Sequence, residues 1–136
     1  MSSLLVDQYL WPGLYLEHLE KVVRTIGKHG GAVIVGRGAN FILASEERLS
    51  LKVVAPFNMM VKNVSSAFGV SVEEAKQRIA NRESKRMNFI KKSFNADAAD
   101  PLSYDIIINT GQISIEDAVT AVSLFWGHKY LENFSQ

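Results

Sequence analysis

Residues 32–43 read AVIVGRGANFIL. The first four are apolar and mostly β-branched, which suits a strand buried in a parallel sheet. Gly36-Arg37-Gly38 follows at once. Flanking glycines let the backbone turn sharply and approach a ligand closely. The arginine between them can grip a phosphate or carboxylate through two parallel hydrogen bonds. The stretch predicts a strand end that delivers one arginine to an anion. A tight turn with a solvated arginine competes evenly with that reading, because Gly-Arg-Gly is a common tripeptide.

Upstream, Leu16, Leu19, Val22, Val23 and Ile26 repeat at helical spacing. They predict a helix from about Leu14 to Lys28, entered after Pro12 and stopped by His29-Gly30-Gly31. Downstream, residues 36–50 form a connection, and Leu51–Ala55 is a second strand ended by Pro56. Phe57, Met60, Val61, Val64 and Phe68 mark a helix closed by Gly69. Ser71-Val72-Glu73-Glu74 reads as a capping box that starts a long polar helix from Val72 to Phe89 or beyond. Residues 95–103 are a loop, and Asp105–Asn109 (DIIIN) is a third strand. Ser114–Asp117 resembles a second capping box. The last helix is expected to bury Ile115, Ala118, Val119 and Val122, and its tail, HKYLENFSQ, can extend it.

The order helix, strand, strand, helix, helix, strand, helix predicts an α/β fold in three layers. Its parallel sheet has about three strands and is covered by helices on both faces. Ligands in such sheets sit at the carboxyl ends of strands. Here those ends are Gly36-Arg37, Ala55-Pro56 and Asn109-Thr110, all expected at one edge.

The 136 residues fit a single domain, 1–136. Cysteine is absent, which excludes disulfides and thiolate chemistry and fits a cytoplasmic protein. No apolar run approaches the roughly 20 residues of a membrane helix. MSSLLVDQYLW lacks the basic start and apolar stretch of a secretory signal. His18, His29 and His128 have no metal-ligand spacing, so no metal site is expected. Asp97, Asp100 and Asp105 could assist a magnesium ion, but a loop acid cluster is usually a solvated turn.

Charge is unevenly placed. The chain carries a formal +1, yet residues 76–92 hold seven basic residues against the single acid Glu83. Arg78, Arg82 and Arg86 recur every four residues and share a helical stripe that can reach several phosphate oxygens. A solvated, salt-bridged helix is the bland alternative and, on this feature alone, the better one. Little aromatic interleaving argues against a nucleic-acid partner.

Four segments together, VIVGRGANFIL, LKVVAPF, EEAKQRI…RESKR and YDIIINTGQISIEDAV, resemble the bacterial cytidylate kinase-like proteins, relatives of the nucleoside monophosphate kinases. The resemblance runs from about Asp7 to Val122. It implies a P-loop-kinase fold with strand order 2-3-1-4-5 and a basic lid, here residues 76–95. It also implies transfer of the ATP γ-phosphoryl to CMP or dCMP with magnesium. By the same resemblance Arg37, with Gly36 and Gly38, lies near the acceptor phosphate. Arg86 is the main lid arginine, with Arg82, Lys91 and Lys92 in the same segment. Asn109, Thr110 and Gly111 match the turn near the ATP base.

The chain also departs from the family pattern. No G-x-x-x-x-G-K-[ST] phosphate loop occurs in it, so the amide cradle, lysine and hydroxyl for the ATP phosphates and magnesium are missing. Met60 and Asn63 stand where the family places arginines, and Glu83 where aspartate is usual. The expectation is a cytidylate kinase-like protein lacking its N-terminal phosphate-loop part, not competent alone, that binds CMP or another phosphate ligand. ATP and magnesium enter only if the chain belongs to an active kinase, completed by a part absent here or supplied by another chain. A non-enzymatic interaction module is the third reading. The missing central strand leaves apolar edges open, from which a homo-oligomer is expected.

Overall fold

A computed structural model describes residues 12–134. The N-terminal segment judged not to be a secretory signal lies outside the described residues. The elements are α1 (Pro12–His29), α2 (Ala39–Ile42), β1 (Leu51–Val54), α3 (Phe57–Phe68), α4 (Val72–Phe94), β2 (Ile106–Asn109) and α5 (Ile115–Phe134). Single 3-10 turns occupy Ser45–Glu47 and Pro101–Ser103. The result is a mostly helical α/β arrangement with a small parallel two-stranded sheet, consistent with a kinase-like α/β fold.

The helix boundaries follow local chemistry. α3 ends at Gly69 in the left-handed region (φ 61°), where a glycine has no Cβ to clash. At the start of α4 the Ser71 hydroxyl accepts from the Glu74 amide at 3.1 Å. Glu74 does not reach back to complete the capping box. Its carboxylate takes Arg78 at 2.9 Å instead. Ser114 caps α5 in the same way, accepting from the Asp117 amide at 3.1 Å.

β1 and β2 pair in parallel, with Leu51 opposite Ile106 and Val54 opposite Asn109. Ser50 sets that register. Its carbonyl accepts from the Asp105 and Ile106 amides at 2.9 and 3.1 Å, while its own amide donates to the Asp105 carboxylate at 2.6 Å. Arg48 and Lys129 stand beside the same carboxylate, at 3.5 and 3.9 Å. Lys129 also donates to the carbonyls of Ser45 and Arg48, which ties α5 to the loop before β1.

Two expectations are corrected. Ala32–Val35 joins no ladder, so the sheet has two strands among the described residues instead of three. Ile34 packs on the cluster of Val23, Ala39 and Ile42, whereas Val33 and Val35 are 92% and 86% exposed. The segment has the right residues and alternation for a strand, but a strand forms only against a partner edge. The last helix likewise does not bury Ile115 and Val119, which are 73% and 59% exposed. Its apolar residues run around more than one face, and the two-stranded sheet is too narrow to cover them.

Ser50 is only 4% exposed, so its amide depends on Asp105. Asp105→Ala strands that donor and is expected to cost about 1–3 kcal/mol. Urea unfolding of the two proteins measures the difference, and equal midpoints would refute the clamp.

Candidate functional site

Gly36, Arg37 and Gly38 all have positive φ, at 72°, 61° and 68°. The glycines adopt this region freely. Arginine does so at a cost of roughly 1–2 kcal/mol, so the surroundings must hold it. Gly38 has a second reason to be glycine: a Cβ there would lie 2.5 Å from the Phe94 ring of α4. The loop is thus pressed onto the C-terminal turns of the basic helix.

An aromatic series continues from that contact. Phe94 stacks on Phe41 of α2 at 5.6 Å and meets Phe89 of α4 edge-on at 5.9 Å. Phe89 in turn meets Tyr15 of α1 at 6.5 Å. The Tyr15 hydroxyl stands 3.5 Å from Nη1 of the exposed Arg37. Four rings therefore join α1, α2 and α4 beneath one arginine. Nothing in the sequence links Tyr15 to Arg37, since the two are 22 positions apart on different elements.

The basic helix divides its cations. Arg86 pairs with Glu83 at 2.8 Å, Arg78 with Glu74 at 2.9 Å and Lys76 with Glu73 at 3.7 Å, all on a half-exposed surface. Such pairs contribute little, typically below about 1 kcal/mol. Arg82, Lys85, Lys91 and Lys92 make no ion pair among the described residues. Lys91 and Lys92 lie in the last turn, where they also complement the negative end of the helix dipole. The stripe Arg78-Arg82-Arg86 is therefore two arginines committed to neighbouring glutamates and one uncommitted.

The remaining strand ends form a separate pair. Thr110 donates from its amide to the Val54 carbonyl at 2.9 Å, and Asn109 Oδ1 accepts from the Gly111 amide at 2.9 Å. A Cβ on Gly111 would lie 2.4 Å from Pro56, so the turn after β2 and the end of β1 touch. The side-chain hydrogen bond of Arg37 runs to α1 and not to this pair. The structure thus brings two of the three expected strand ends into contact, while the Arg37 side chain bonds to Tyr15 of α1.

The loop acids are structural. Asp97 accepts from the Ala99 amide at 2.8 Å and Asp100 from the Leu102 amide at 2.9 Å. Among the described residues no group of three or more histidine, aspartate or glutamate side chains could hold a metal ion. Also among them, no helix is long and apolar enough to cross a membrane. Near Arg86, Tyr104 donates its hydroxyl to the Ala98 carbonyl at 2.6 Å, and Lys52 donates to the same carbonyl at 2.9 Å. Burial pushes the Tyr104 phenol above its ordinary value of 10.0, an effect that the positive charge of Arg86 opposes and the negative charges of Glu83 and Asp97 reinforce.

Known proteins resemble the chain along most of its length. The pattern of the cytidylate kinase-like family matches residues 2–112. Cytidylate kinase of Methanopyrus kandleri is 27% identical over 115 residues, which cover 78% of this chain and 59% of that protein. Cytidylate kinase of Pyrococcus horikoshii is 33% identical over 101 residues, covering 74% and 52% respectively. That of Pyrococcus abyssi is 31% identical over 103 residues, covering 76% and 56%. The chain spans between about half and three fifths of these relatives.

Tyr104 generates a pH prediction. A phenol whose folded pKa is raised binds its proton more tightly in the native state. Its contribution to stability is therefore present below pH about 10 and is lost as pH rises from there through the folded value. Tyr104→Phe should flatten this part of the alkaline decline. An unchanged stability profile above pH 10 would contradict it.

Proposed function

The chain belongs to the cytidylate kinase-like family, and from that premise we propose that it carries the acceptor side of a nucleoside monophosphate site. Arg37 binds the phosphate of CMP or a similar nucleotide, with Gly36 and Gly38 allowing its approach. The uncommitted Arg82 of α4 adds charge from the lid-like segment, and Arg86 joins it when it exchanges Glu83 for the anion. Lys91 and Lys92 supply a weaker field from the same segment. Asn109, Thr110 and Gly111 correspond to the turn near the ATP base and come into play only in a completed kinase. The observation that carries the reading is the strained Arg37, held between two left-handed glycines against the helix with the free cations. An arginine kept in a costly conformation suggests a task for it.

The donor side is another matter. No residues of this chain fit the phosphates of ATP, because the 136-residue sequence contains no G-x-x-x-x-G-K-[ST] loop. We therefore assign these residues substrate binding without turnover of ATP on their own. Within that assignment Arg37 and the lid arginines act by binding and charge neutralisation, the main protein contribution to phosphoryl transfer.

Two observations favour a second reading, in which other residues complete an active kinase. The matched relatives are much longer than the chain. In addition, Val33 and Val35 are exposed on a segment with no ladder partner among the described residues. The same unpaired edge supports self-association through strand addition or exchange, with no membrane and no nucleic acid involved.

Three outcomes follow. Calorimetry with CMP should show binding to the wild type, weakened about tenfold or more in Arg37→Ala, the loss expected for a charge-assisted contact. A coupled assay of the purified chain with ATP and CMP should show no turnover, and clear formation of CDP would replace the first reading with the second. Sedimentation at micromolar concentration should show a dimer or larger species, and a stable monomer would remove the proposal of self-association.

A further inference from the structure

Arg37 faces two problems as an anion ligand. Its backbone is strained, with φ at 61°. Its side chain is also long and exposed, and carries rotamer entropy that any ordered contact must overcome. A residue that pre-orders the guanidinium would reduce that loss before the ligand arrives. Tyr15 is placed to do so.

We propose that Tyr15 is a positioning residue for Arg37: its hydroxyl accepts from Nη1 and holds the guanidinium in one orientation. The inference rests on the reading of Arg37 as a phosphate ligand. The contact is 3.5 Å, long enough to tighten when an anion draws the guanidinium into place. A phenol is suited to this role. It accepts one hydrogen bond without a negative charge that would compete with a phosphate. One hydrogen of Nη1 is used, and the fork of Nε and Nη2 stays available for two parallel bonds to phosphate oxygens.

The position of Tyr15 is itself fixed. Its ring is half-buried and lies edge-on to Phe89, at 6.5 Å and 62°. Phe89 meets Phe94 at 5.9 Å, and Phe94 closes on Gly38 next to Arg37. The aromatic series therefore begins at the tip of Arg37 and returns to its backbone. Along α4, Lys85 and Arg82 stand four and seven residues before Phe89 and share its stripe. Neither has an ion-pair partner among the described residues. Tyr15 thus joins the arginine of the loop to Phe89, which lies on the helix stripe that carries Arg82 and Lys85.

Tyr15→Phe keeps the ring and deletes the acceptor. Calorimetry with CMP and with inorganic phosphate should show affinity about three- to tenfold lower than wild type, the range of one hydrogen bond. The thermal midpoint should not move. In an Arg37→Ala background the same change should have no further effect on affinity, because Tyr15 acts through Arg37. Tyr15→Ala, which also removes the packing on Phe89, should lower the midpoint and so report the structural part separately. Unchanged affinity in Tyr15→Phe while Arg37→Ala binds weakly overturns the positioning role alone. An equal loss in both backgrounds overturns it too, since Tyr15 would then act independently. If wild type and Arg37→Ala do not differ toward CMP, the phosphate reading of Arg37 fails, and this inference with it.

Discussion

The amide of Ser50 donates to the carboxylate of Asp105 at 2.6 Å, while the Ser50 carbonyl takes the Asp105 and Ile106 amides. Much of the ordered structure follows from that exchange. It sets Leu51 opposite Ile106, and three residues later it brings Val54 level with Asn109. Pro56 then meets Gly111 so closely that no side chain fits between them. The same carboxylate attracts Arg48 and Lys129, and Lys129 anchors α5 to the loop before β1. A parallel pair of two short strands has few ladder bonds of its own. A side-chain clamp at its entry supplies much of what fixes the register.

Away from that clamp the fold is sparse. The buried apolar residues form small groups, with Val23, Ala39 and Ile42 under α1 and α2, Val61 and Ala75 in α3 and α4, and Ile108 in the sheet. Large apolar side chains remain exposed on residues 32–35 and along α5. Parallel sheets are normally covered on both faces.

Helices could be read from the sequence with good fidelity because their determinants are local. The stripe of Leu16, Leu19, Val23 and Ile26 marks α1, and Ser71, Ser114 and Gly69 mark ends through bonds to near neighbours. β1 and β2 were readable for the same reason, as short apolar runs bounded by Pro56 and by Thr110-Gly111. AVIV has equal strand character, yet it pairs with nothing among the described residues. Strand formation depends on an edge elsewhere in space, and no local pattern reports whether that edge is present. Gly36-Arg37-Gly38 was similarly readable as a turn carrying an exposed arginine. The pressing of Gly38 onto Phe94 was not, because fifty-odd residues separate the two and only packing brings them together.

The sequence by itself determined where the helices start and stop, which short runs can be strands, the positions of the cations on α4 and the family to which the chain belongs. Each of these depends on residue identity and spacing within a few turns. Tertiary structure decided which cations are free, since Arg86 and Arg78 turn to glutamates on their own helix while Arg82 and Lys85 do not. It also decided that the Arg37 side chain meets Tyr15 of α1. These outcomes depend on distances between elements, which are fixed when α1, α2 and α4 pack around four aromatic rings.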